Sequence, residues 1–178
     1  MNSRYLPLSV WLHWTMLFLI IGVYACIEFR VIFERGTDTR ELIKTWHYAL
    51  GMSVLLLVII RVTARILSPK IQRESYGKFQ RLVSSAMFLG LYGLMFLMPI
   101  LGYLLVSAEG NTIFIFSMEL PLLNIQDKEL AHQIEEIHET IGKIGYGLIA
   151  VHALAGLYHH FVLRDKTMQS MLDFRGKI

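Results

Sequence analysis

The chain has 178 residues, of which 54% are hydrophobic and 17% charged, where a soluble domain averages roughly one quarter charged. About 96 apolar residues are more than one compact core of this size can bury; four membrane helices of about 20 apolar residues each would use roughly 80 of them. Together with a mean hydropathy of +0.49, this excludes a soluble enzyme, a disordered chain and a nucleic-acid binder, and it assigns the net charge of +3 to the flanks of a membrane.

Four apolar stretches predict spans over residues 8–28, 46–67, 82–106 and 141–163. The second is dense in aliphatics from Val54 to Ile60. The third carries Pro99 and Gly102, which are expected to kink or loosen its far end. The fourth is preceded by a polar stretch free of helix breakers, so Lys128 to Leu163 reads as one helix of about 36 residues whose first turns project beyond the hydrocarbon. No repeat, low-complexity tract or second domain interrupts residues 1–178. The expected fold is an all-α, integral membrane four-helix bundle.

Charge sets its orientation. The side shared by both termini and the 68–81 connection carries eleven basic residues (Arg4, Arg61, Arg65, Lys70, Arg73, Lys78, Arg81, Arg164, Lys166, Arg175 and Lys177) against three acids, Glu74, Asp165 and Asp173. The opposite side has five basic residues, of which Arg30, Arg35, Arg40 and Lys44 cluster in the first outer connection, against eleven acids. The positive-inside rule places both termini in the cytoplasm.

Ionisable groups inside spans are costly, so the histidines are the functional candidates. His138 and His152 lie 14 residues apart on the fourth helix, on one face but separated by about 21 Å of rise. One metal cannot bind both, because metal–nitrogen bonds are only about 2 Å long. His47 enters the second span level with His138, and His13 lies toward the depth of His152. The expected pairs are therefore His47 with His138 outside and His13 with His152 inside. Two imidazoles from facing helices suit a six-coordinate b haem. Gly51, Gly142 and Gly156 follow His47, His138 and His152 by one turn, leaving room on the same face for a macrocycle; His13 has Leu17 there instead. Ordinary small-residue packing of membrane helices is the competing explanation. Arg61, 14 residues after His47, falls near the inner pair, where a haem propionate would be its partner unless it snorkels to the headgroups. His159 continues the His152 face about 10 Å toward the cytoplasm and could donate to a quinone carbonyl or to a propionate. The single cysteine, Cys26, allows no C-x-x-C-H attachment, so any haem is held non-covalently. A histidine-based metal-ion carrier without haem is the rival from another class.

Leu12-His13-Trp14, Trp46-His47 with Gly51, Ile137-His138-Glu139-Thr140, Val151-His152-Ala153 and His159-His160 together resemble the bacterial cytochrome b561 family over essentially the whole chain. The resemblance implies a multi-pass protein of the bacterial inner membrane with two non-covalent b haems, each ligated by two histidines, His13 with His152 and His47 with His138. It is greatest toward the branch that takes electrons from superoxide, or another periplasmic donor, and reduces ubiquinone, and it places His159 beside the quinone. The alternative within such a family is a haem-bearing anchor that relays electrons for a dehydrogenase or hydrogenase partner.

Overall fold

The computed structural model describes residues 7–67, 77–115, 118–165 and 167–172. Four long helices dominate it: α1 (Pro7–Arg30), α2 (Asp38–Leu67), α3 (Lys78–Glu109) and α4 (Lys128–Tyr158), which continues through one π-helical turn, His159–Leu163. A short helix, α5 (Thr167–Leu172), follows. All four long helices, α4 taken to Leu163, are long and apolar enough to cross a membrane. In hydrocarbon each backbone N–H and C=O must bond within its own segment, which selects the helix for these stretches.

The helices extend beyond the apolar windows: α2 begins at Asp38, ahead of its expected start, and α4 begins at Lys128 as its breaker-free polar lead implied. Polar ends are still good helix formers once the apolar part has nucleated them. The turn before α2 is tied down by Arg40, whose Nη1 donates to the carbonyls of Arg30 (3.1 Å) and Phe33 (2.7 Å). Pro99 does not end α3, which runs unbroken through it to Glu109; a missing N–H is tolerated in a membrane helix packed by its neighbours. The stop comes at Gly110, whose left-handed φ of 75° lets its N–H reach Ser107 O while the Asn111 N–H reaches Val106 O, each at 3.1 Å. Asp127 starts α4, its carboxylate accepting from the Glu129 and Leu130 N–H groups.

Between α3 and α4 an antiparallel pair, β1 (Ile113–Ile115) and β2 (Met118–Leu120), lies in the register Ile113 with Leu120 and Phe114 with Glu119. It leans on α2 through β1 and buries Ile113. Such a short pair has no hydropathy signal of its own.

Extensive close approach between the spanning helices is confined, among the described residues, to α1 with α2, α2 with α3 and α3 with α4. Met16, Val54, Val58 and Met95 form the buried cluster joining α1, α2 and α3. No residue of α4 joins that cluster. Most other large apolar side chains, Phe18, Leu56, Leu89 and Leu154 among them, point outward; that surface would be untenable in water and is suited to lipid. Alpha-4 therefore faces α1 and α2 mainly through side chains, and the histidines stand in that interval. Of the inner-side basic residues, Arg4, Lys70, Arg73, Lys166, Arg175 and Lys177 lie outside the described residues, as do Glu74 and Asp173.

Candidate functional site

The outer pair joins α2 to α4. The rings of His47 and His138 have centres 6.3 Å apart and planes at 75°. His47 Nδ1 donates to the Val23 carbonyl of α1 at 3.1 Å, which fixes the tautomer and leaves Nε2 with a free lone pair. Among the described residues, the buried Nδ1 of His138 has no hydrogen-bond partner. Its ring lies against α3 at Gly102, where an added Cβ would come 3.4 Å from His138 Cε1. Gly102 thus makes space for the imidazole and does not loosen α3. Close by, Tyr24 Oη donates to the Gly142 carbonyl at 2.9 Å, fastening α1 to α4 one turn beyond His138.

The inner pair joins α1 to α4. His13 and His152 have ring centres 6.2 Å apart and planes at 68°. Arg61 Nη2 approaches His13 Nδ1 at 3.2 Å, and its guanidinium stands 5.9 Å from the centre of the Tyr92 ring. Arginine only donates, so His13 Nδ1 accepts here. Arg65, one turn on, lies over Phe88 at 5.1 Å. His13, His47, His138, His152 and Arg61 thus fall into two groups at two heights on α4, about 21 Å apart along its axis.

Two metal–nitrogen bonds of about 2 Å, plus about 1 Å from each nitrogen to its ring centre, span about 6 Å in a bis-imidazole metal site. Both pairs have that spacing. Among the described residues no three His, Cys, Asp or Glu side chains converge on a metal position, so each pair offers two donors. Two are enough for a metal that arrives with four in-plane nitrogens, as in haem. Edge-to-face ring packing tolerates the same distances, but it does not explain the glycines. A Cβ on Gly51 or Gly156 would meet nothing within 4 Å, and one on Gly142 would meet only Met98 Cε at 3.5 Å. The donors and the open glycine faces fit a haem at each height.

At the inner mouth, His159 opens the π-helical turn. Arg164 then adopts a left-handed φ of 51°, a conformation costing a non-glycine residue about 1 kcal/mol, and it turns the chain back. Asp165 is thereby returned to His159: its N–H reaches His159 O at 3.2 Å and its Oδ2 is bonded to His159 Nδ1. The other oxygen, Oδ1, accepts from the Thr167 N–H at 2.9 Å and caps α5. Burial alone would raise the Asp165 carboxyl, but hydrogen bonds from His159 and Thr167 outweigh it and hold it below its ordinary value. Trp14 Nε1 donates to Met171 O at 2.8 Å, docking α5 on α1 beside His13. In contrast, His132 is exposed near Glu136 and His160 packs against Phe161.

Of the outer basic cluster, Lys44 pairs with Glu41 at 2.7 Å and Arg40 is used on the turn carbonyls. Among the described residues, Arg30 keeps a buried Nε without a hydrogen-bond partner. Gly102, Val23 and Asp165 each lie against a histidine that spacing did not pair them with.

Residues 4–174 match the family model described as prokaryotic cytochrome b561. The chain is similar to cytochrome b561 homolog 1 of Escherichia coli (strain K12), 31% identical over 175 residues that cover 97% of this chain and 99% of the relative. It is 26% identical to the probable superoxide oxidase CybB of Yersinia pestis over 97% of each chain. Cytochrome b561 homolog 2 of Escherichia coli (strain K12) is 28% identical over 172 residues, 96% of this chain and 92% of that one.

Proposed function

The chain belongs to the prokaryotic cytochrome b561 family and is a haem b-binding, multi-pass membrane electron carrier, and from that footing we propose that it is a dihaem superoxide:ubiquinone oxidoreductase of the bacterial inner membrane. His47 and His138 would hold the outer haem and His13 and His152 the inner one. The observation that carries this reading is the pair of imidazole couples, at 6.3 Å and 6.2 Å, stacked on α4. Bound between such couples, a b haem supplies reversible one-electron chemistry at a six-coordinate iron.

The protein's own residues prepare each position. Val23 O orients His47 so that Nε2 faces away from its hydrogen bond, and Gly102 accommodates the His138 ring. Gly51, Gly142 and Gly156 leave the faces beside the histidines shallow. Arg61, whose Nη2 stands 3.2 Å from His13 Nδ1, is a cation at the inner height that a haem propionate would suit. At the outer side, Arg30 offers an anion a cation with a donor still to satisfy. The positive-inside bias supports cytoplasmic termini, which makes the His47/His138 end periplasmic.

The net reaction balances. Two superoxide anions become two dioxygen molecules and give up two electrons; ubiquinone takes those electrons with two protons and becomes ubiquinol. The name of the Yersinia pestis relative supports superoxide as donor. The test uses the purified chain alone, with an enzymatic superoxide source and ubiquinone-1. One ubiquinol formed for every two superoxide anions consumed is expected. Ubiquinol formation only after a hydrogenase or dehydrogenase partner is added would contradict the proposal and favour an electron-relay anchor.

A further inference from the structure

Ubiquinone reduction consumes two protons, so the quinone end of the chain needs a proton donor as well as an electron source. The inner mouth holds an arrangement that no haem ligation requires. His159 lies seven residues beyond His152 on α4, and the left-handed Arg164 folds the chain so that the Asp165 carboxylate bonds His159 Nδ1. The side chains of both are mostly enclosed, at 20% and 14% exposure, and α5 is pinned beneath them by Trp14. A carboxylate on one nitrogen of an imidazole orients the ring and stabilises the imidazolium.

We propose that Asp165 is the positioning residue that makes His159 a proton donor to ubiquinone. Asp165 Oδ2 accepts from Nδ1–H and steadies the imidazolium; Nε2–H hydrogen-bonds a quinone carbonyl. As the quinone receives electrons, the Nε2–H bond breaks and an O–H bond forms on the quinone oxygen. The neutral imidazole is then reprotonated from cytoplasmic water, and the opposite quinone oxygen takes the second proton from the same water. This rests on the quinone reading above.

Asp165 also caps α5 through Oδ1, so a variant must separate charge from cap. Asp165→Asn keeps an oxygen for the Thr167 N–H, asparagine being an N-cap as good as aspartate, but it removes the carboxylate. Thr167→Pro removes the capped N–H and leaves the carboxylate in place. The holoprotein in nanodiscs is reduced with dithionite, freed of reductant and mixed with ubiquinone-1, and reoxidation of the reduced haem band is followed. Wild-type protein is expected to reoxidise. Asp165→Asn is expected to lower the limiting rate about 10²-fold, the lower end of what a positioned acid contributes, with little change in the quinone concentration for half-saturation. Its reduction by superoxide and its haem content should match wild type. Thr167→Pro should stay within about twofold of wild type and Asp165→Glu should recover part of the rate. Wild-type reoxidation in Asp165→Asn, or equal slowing in Thr167→Pro, overturns the assignment to Asp165. Failure of the wild-type protein to reoxidise overturns the quinone reading and this role with it.

Discussion

In the outer couple the two imidazoles are not held alike: His47 is anchored to Val23 O at 3.1 Å, whereas His138 Nδ1 is buried with no partner. Substituting either would leave one histidine donor at the outer position and two at the inner. His138→Ala is therefore expected to lower the haem content from two per chain to about one, leaving the His13/His152 centre. A haem-to-protein ratio with a reduced visible spectrum checks this, and loss of the inner centre first would contradict the pairing. The couples themselves were legible in the sequence because 14 residues bring an α-helix almost back to the same face. The same spacing put Arg61 near His13. Gly102 was not legible, since α3 bears no histidine and sequence alone does not give the rotation of α3 about its axis. Arg30 and Val23 act through atoms that spacing cannot distinguish from any other turn.

At the scale of elements, the end of α4 leaves α-helical geometry for a π-helical turn and rests on a carboxylate, which makes it sensitive to acid. The hydrogen bonds of Asp165 hold its carboxyl below its ordinary value despite burial. Its contribution to docking α5 is thus fully present above the usual carboxylate range, near pH 4, and is lost as pH falls through the lower, folded-state value. Amide exchange of 167–172, corrected for intrinsic rates, is expected to be slow at about pH 6 and to quicken progressively as pH falls below about 4. Protection that stays unchanged through complete acid titration would show that the carboxylate does not hold the element. The four spans were readable from hydropathy, and the Lys128 start of α4 from a polar stretch free of breakers; the start of α2 was not, because Asp38 to Thr45 continue that helix with mostly polar residues. The turn at Arg164 and the β1–β2 pair were hidden for another reason: both depend on contacts made after the long helices are placed.

For the whole molecule, the arrangement is two helix hairpins, α1–α2 and α3–α4, with α4 meeting the first hairpin mainly through His13, His47 and Tyr24. The places between them lined by paired donors and open glycine faces are where a flat cofactor would complete the packing. Lipid supplies little force to bring helices together, so cofactor-bridged histidines would also bind the bundle into one body. The most direct measurement is the haem b content of the purified chain, by reduced-minus-oxidised visible spectrum against protein concentration. Two haems per chain are expected; one haem, or none, would contradict the paired-histidine architecture.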